Sequence, residues 1–137
     1  MHILLVEDSD TLTDLFRVQL RRLGQHTLAV AASKKKALEV FQPGAFDFIF
    51  IDMGLEGIPD RGLEIIRELK TRAPGQRIGV LSSNDLQDMV RQSRTAGAEF
   101  YMVKPFTLRG LKTVLAGDTQ ALKTYRPETG EGRIIAL

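Results

Sequence analysis

Five short, mainly apolar runs, each of strand length, recur along the chain: Ile3 to Val6, His26 to Ala31, Phe46 to Ile51, Ile78 to Leu81 and Glu99 to Val103. They are rich in β-branched and aromatic side chains, and a continuously apolar strand needs cover on both of its faces. Between them, apolar residues fall at three- and four-residue spacing: Leu12, Leu15, Phe16, Val18, Leu20 and Leu23; then Ala37, Leu38, Val40 and Phe41; then Leu63, Ile65, Ile66 and Leu69. That is helical periodicity. Strands alternating with helices predict a doubly wound α/β domain, in which right-handed crossovers place helices on both faces of a parallel sheet. Gly24, Gly44, Pro74-Gly75 and Gly97 punctuate the ends of four helices, and Ser33 and Asn84 stand where N-caps belong.

The chain has 137 residues, enough for one domain and too few for two ordinary ones. Its β-α units end near Ala116, so the division expected is a domain over 1–116 and a tail over 117–137 with no second domain. The net charge is +2 from 19 basic and 17 acidic residues, a balance that does not describe a nucleic-acid-binding stripe. Lys34, Lys35 and Lys36 form the longest basic run, readable either as a solvated first helical turn or as a phosphate-binding patch. The absence of cysteine excludes disulfides, thiol catalysis and CxxC zinc sites. The apolar opening stops at Glu7, short of a signal peptide or a membrane span, so a cytoplasmic protein with no membrane partner is expected. No GxGxxG or GxxxxGK[ST] string follows a strand, and His2 and His26 are the only histidines, which argues against nucleotide-loop and His-triad chemistry.

In doubly wound sheets ligands bind at the carboxyl ends of the strands. Strand one runs into Glu7 and Asp8, strand three into Asp52, strand four into Ser82 and strand five into Lys104. Three carboxylates would therefore gather at one edge of the sheet. Two of them about 4 Å apart repel by roughly 4 kcal/mol at an effective dielectric near 20, so without a cation the cluster would raise one pKa or stay open. Oxygen-only ligands on a shallow rim suit Mg²⁺. Such an ion could bridge to an incoming phosphoryl oxygen while an aspartate attacks phosphorus, with Lys104 and the Ser82 hydroxyl pairing with further oxygens. Taken singly each residue has a structural reading: an acidic cap for Glu7 and Asp8, a turn residue for Asp52, an N-cap for Ser82, a surface charge for Lys104. Their joint placement favours the chemical one.

Residues 1 to about 116 resemble the response-regulator receiver domains of two-component signalling. The resemblance rests on Ile3-Leu4-Leu5-Val6-Glu7-Asp8, on Phe46-Asp47-Phe48-Ile49-Phe50-Ile51-Asp52, on Val80-Leu81-Ser82-Ser83, and on Gly97-Ala98 with Tyr101-Met102-Val103-Lys104-Pro105-Phe106. It implies a flavodoxin-like, five-stranded parallel sheet in the order 2-1-3-4-5. It also implies that Asp52 is the phosphoacceptor, that Asp8 and Asp52 bind Mg²⁺ directly, that Glu7 does so through water, and that Gly54 lends a backbone carbonyl. Ser82 would move toward the phosphoryl group, Tyr101 would turn inward with it, and Lys104 would pair with the phosphoryl group ahead of a cis bond to Pro105. Periodicity alone makes Tyr101 a half-exposed strand residue. Met53, Met89 and Met102 are expected to be packing residues.

The implied partners are a sensor histidine kinase or a histidine phosphotransfer domain as donor, and a downstream protein that the sequence does not name; a homodimer is compatible with this. The segment after Asp52 departs from the family pattern. Glu56 holds the usual proline position, and Pro59 and Gly62 come late, so the 53–62 loop is expected to be about two residues longer and compensated before strand four. With Gly54 beside the acceptor, phosphoryl lifetime should depend on Asn84 and on this loop. The tail offers a short helix over Thr119 to Thr124, a Pro127 stop, a loop over 128–132 and an apolar end at Ile134-Ile135-Ala136-Leu137. About twenty residues do not make a helix-turn-helix, so direct DNA binding is not supported. Packing back on the domain, pairing with a partner and a frayed terminus remain open for the tail. Two other functions stay in view: a Mg²⁺-dependent phosphohydrolase working through an aspartyl phosphate, and a receiver-like interaction module that is not phosphorylated.

Overall fold

The computed structural model describes residues 1–127 and 132–137; most of the loop expected over 128–132 lies outside them. The chain runs β1 (His2–Val6), α1 (Asp10–Leu23), β2 (Thr27–Ala31), α2 (Lys34–Val40), β3 (Phe48–Asp52), a 3₁₀ turn (Leu55–Gly57), α3 (Arg61–Arg72), β4 (Ile78–Ser82), α4 (Gln87–Ala96), β5 (Phe100–Val103), α5 (Leu108–Leu115), α6 (Thr119–Thr124) and β6 (Ile134–Ala136). The sheet order is β2-β1-β3-β4-β5-β6, with β1 to β5 parallel in the expected order and β6 antiparallel to β5.

Successive residues of each strand point to opposite faces, and this divides the core in two. Leu4, Val6, Ile49, Ile51 and Val80 meet α2, α3 and α4 through Ala37, Leu63, Ile66, Leu69 and Val90. Ile3, Leu5, Phe48, Phe50, Leu81 and Phe100 meet α1 and α5 through Phe16, Leu20, Leu111 and Val114. Phe16 lies edge-on to Phe50 and to Phe106, with ring centroids 5.0 and 5.5 Å apart. Gly79 in β4 makes room for this layer, because a Cβ there would lie 1.9 Å from Phe100 Cζ. Met53 and Met102 are buried and Met89 packs against the core, so all three are packing residues.

Four expectations need correction. The sheet has six strands, because the apolar end of the tail pairs Ile134, Ile135 and Ala136 with Met102, Tyr101 and Phe100 along the edge of β5 that the other strands leave open. The tail thus packs back on the domain. Tyr125, Leu122 and Ile134 join the α1/α5 core, and Arg133 pairs with Asp85 at 2.8 Å. Leu15 and Val18, counted in the apolar pattern of α1, are 42% and 49% exposed. At 100° per residue they fall roughly a quarter-turn or more from the line of Phe16 and Leu20. Ser33 caps α2 by accepting from the Lys36 amide, and the three lysines form the first turn of that helix. Asn84 does not cap α4, which starts after Leu86; its Oδ1 instead accepts from the Leu86 amide at 3.3 Å, tightening the loop before the helix. Finally, β3 opens at Phe48 rather than Phe46; just ahead of it the Asp47 amide donates to the His2 carbonyl at 2.7 Å and Asp47 Oδ2 accepts from the His2 amide at 2.7 Å.

Candidate functional site

The strand register brings the expected residues to one edge. The Glu7 amide donates to the Ala31 carbonyl beyond β1, Met53 N donates to Leu81 O, and Lys104 N donates to Ser82 O. These bonds fix the chain where strands one, three and five end. Glu7, Asp8 and Asp52 each place a carboxylate oxygen within 4.8 Å of the others, and they are the one such cluster among the described residues. Lys104 reaches over them, with Nζ 3.0 Å from Glu7 Oε1 and 3.0 Å from Asp52 Oδ1. Glu7 and Asp52 are buried and Asp8 is exposed, so the cluster has a closed floor and an open side. The Lys104-Pro105 peptide bond is cis.

The charges in this cleft are not balanced. Burial, then the close approach of the Asp52 carboxylate and its charge, push the Glu7 carboxyl up to about 7 against the pull of Lys104. Burial works against the Lys104 ammonium, yet Asp52 and Glu7 together hold its pKa above the ordinary lysine value. Glu7 Oε2 is buried without a hydrogen-bond partner. An orphaned carboxylate oxygen beside two further carboxylates is the donor set a hard divalent cation requires. The residues therefore fit a metal ion.

Ser82, the last residue of β4, is buried, and its Oγ accepts from the Asn84 amide at 3.3 Å. Tyr101 is fully buried rather than half-exposed, packed in the same cluster as Ile135 of β6, which lies opposite it in the strand pair. Its hydroxyl donates to the Asn84 carbonyl at 2.8 Å, and burial, with the Asp85 charge, raises its pKa against a hydrogen bond with Ser82. Ser82, Asn84 and Tyr101 are thus linked through the β4-α4 loop. The Gly54 carbonyl accepts from the Gly57 amide at 3.1 Å and closes the 3₁₀ turn. Arg61 pairs with Glu64 at 3.2 Å.

Glu56 stands in a loop where the sequence pattern assigns its side chain no role. The structure gives it two contacts: its amide donates to Asp8 Oδ2 at 3.1 Å, and its Oε1 accepts from the Lys34 amide at 2.6 Å. The one available signal was the acidic residue in place of the usual proline, next to Gly57. Gly62 also earns its place, since a Cβ there would lie 2.8 Å from the Asp52 carbonyl oxygen, where α3 passes under the acceptor strand.

The chain belongs to the response regulator receiver domain family, whose model matches residues 3–116. Receiver domains are the signalling switches of two-component systems. It is 31% identical over 114 residues to the chemotaxis protein CheY of Pseudomonas aeruginosa, covering 82% of this chain and 90% of that protein. It is 32% identical over 103 residues to the alginate biosynthesis transcriptional regulatory protein AlgB of the same species, covering 75% of this chain but 22% of AlgB. The chain therefore spans less than a quarter of that relative. Among solved structures, a response regulator from Burkholderia pseudomallei with a phosphorylated aspartic acid, calcium ion and citrate superposes with a TM-score of 0.73 at 27% identity, over 88% of this chain and 68% of that one. No helix among the described residues is long and apolar enough to cross a membrane.

Proposed function

We propose that the chain is a Mg²⁺-dependent switch that accepts a phosphoryl group on Asp52 from the phosphohistidine of a sensor kinase or phosphotransfer domain. The observation that carries this reading is Lys104 Nζ held 3.0 Å from both Asp52 and Glu7 at the rim of a three-carboxylate cluster. An Asp52 oxygen attacks phosphorus, the N–P bond to imidazole breaks, and the leaving ring takes up a proton, which leaves an acyl phosphate. Glu7, Asp8 and Asp52 would hold Mg²⁺, with the Gly54 carbonyl as a further donor through its free lone pair. Bound there, the ion supplies charge neutralisation for the carboxylates and for the incoming phosphoryl oxygens. Lys104 transfers its contact from the Asp52 carboxylate to a phosphoryl oxygen, and the Ser82 hydroxyl donates to another. The Burkholderia structure, with a phosphorylated aspartate and a divalent ion, supports the same assignment here.

The donor approaches over exposed apolar surface. An open hollow beside the cluster is lined by Leu12, Leu15, Pro105 and Phe106, which gives the outward-facing Leu15 a purpose. Movement of Ser82 carries to Tyr101 through Asn84 and changes the protein-binding face around β5, α4 and the tail. To drive such a face from 1:99 to 99:1, the phosphoryl contacts must favour one state by about 5.5 kcal/mol. In this reading residues 1–116 are the switch, 117–137 are a tail built onto its output side, and the protein works in the cytoplasm on protein partners without binding DNA.

The test is incubation of the chain with a small phosphodonor and Mg²⁺, followed by intact mass. One added phosphoryl group on the wild type, lost with EDTA and absent from Asp52→Asn, is expected. An unmodified wild type, or equal modification of Asp52→Asn, would refute the switch, and rapid turnover of phosphate esters would favour a hydrolase.

A further inference from the structure

Among the described residues, Glu56 is the one non-glycine with a positive φ, at φ 60° and ψ 22°. Glycine adopts this left-handed conformation freely, whereas a Cβ crowds the following carbonyl. A glutamate nevertheless stands here, with both of its ends engaged. The backbone N–H donates to Asp8 Oδ2 at 3.1 Å, and the side-chain Oε1 accepts from the Lys34 amide at 2.6 Å. Fully buried Leu55 pins the turn on one side, and the Gly57 amide on the Gly54 carbonyl pins it on the other.

Asp8 is exposed, and the Glu56 amide is the hydrogen-bond partner that holds its carboxylate. The N–H on Oδ2 holds the carboxylate in one orientation and makes its two oxygens inequivalent, which favours Oδ1, the more basic one, for a cation. That mode suits Mg²⁺, which binds through few carboxylate oxygens and keeps several waters, better than Ca²⁺, which often takes a carboxylate by both oxygens. We propose that Glu56 is a positioning residue for Asp8: anchored on the Lys34 amide, it aims its own N–H at the carboxylate and sets Asp8 for one-oxygen binding of Mg²⁺. This rests on the reading of Glu7, Asp8 and Asp52 as a Mg²⁺ site. It also gives the atypical loop a task, because the anchor ties the start of α2 to the metal cluster.

The experiment is calorimetric titration of the full chain with Mg²⁺ and with Ca²⁺, for wild type, Glu56→Gln and Glu56→Gly. Gln keeps the acceptor for the Lys34 amide, while Gly keeps the backbone conformation and removes the anchor. Glu56→Gln should bind Mg²⁺ as wild type does. Glu56→Gly should bind it about tenfold more weakly, as loss of an outer-shell partner does, with a smaller preference over Ca²⁺. The Lys34 amide resonance should shift with Mg²⁺ in wild type and Glu56→Gln, and stay still in Glu56→Gly; a purely structural role would not produce that pattern. Equal Mg²⁺ affinity in wild type and Glu56→Gly, or equal loss in Gln and Gly, overturns the proposal while leaving the metal site standing. A wild type that binds no Mg²⁺ overturns both.

Discussion

Replacing Glu7 by Gln should make the metal-free protein more stable, although it removes a residue of the functional cluster. The Glu7 carboxyl titrates near 7 in the fold against an ordinary value of 4.5, first because it is buried and then because Asp52 is its neighbour. The folded state therefore binds the proton more tightly than the unfolded chain does. The penalty is absent below pH 4.5, grows from there to pH 7, and is fully present above it. At 1.36 kcal/mol per pKa unit it reaches about 3 kcal/mol as an upper figure. Gln has the same shape, carries no charge and still offers an oxygen to Lys104, so Glu7→Gln recovers most of that amount. For a chain of this length the gain corresponds to a Tm rise on the order of 6–10 °C at pH 8, shrinking to about 1–3 °C at pH 5. Thermal melts in EDTA from pH 5 to pH 8.5 measure it. Mg²⁺ should then raise the Tm of wild type much more than that of Glu7→Gln. A variant that melts at or below wild type at pH 8 in EDTA would refute the claim that Lys104 only partly compensates the buried charge of Glu7.

Gly79→Ala drives a methyl group into the Phe100 ring, where a Cβ would sit 1.9 Å from Cζ, and should destabilise the fold by about 3 kcal/mol or more in chemical denaturation. Asn84→Ala leaves the carbonyl that accepts from Tyr101 in place but removes the side chain flanking Ser82. If phosphoryl lifetime depends on Asn84 and the 53–62 loop, as glycine at position 54 suggests, the variant should change the autodephosphorylation rate; an unchanged half-life sinks the idea.

Much of this molecule is written locally. Five apolar runs mark the parallel strands, the family resemblance supplies their order, and strand ends are where doubly wound sheets put their chemistry, so Glu7, Asp8, Asp52, Ser82 and Lys104 can be named together ahead of their geometry. What escaped depends on partners distant in sequence. Ile134 to Ala136 form only a three-residue strand, and whether such a segment frays or pairs is decided by the open edge of β5. That pairing in turn covers Tyr101, whose exposure periodicity misjudged. Glu56 lies in a turn with no repeat to read, and its contacts reach Lys34 and Asp8, 22 and 48 positions away. Leu15 and Val18 match an apolar spacing but miss the buried line of α1, because a pattern counts spacing while packing depends on angle.

The central claim is that Asp52 carries the phosphoryl group as a mixed anhydride, and reductive trapping reads this directly. After incubation with a phosphodonor and Mg²⁺, borohydride reduces an aspartyl phosphate to homoserine, which peptide mass mapping locates. Homoserine at position 52 in wild type, and none in the presence of EDTA, is the predicted result. Homoserine at position 8, or a phosphoryl group that survives reduction on a hydroxyl side chain, would contradict it.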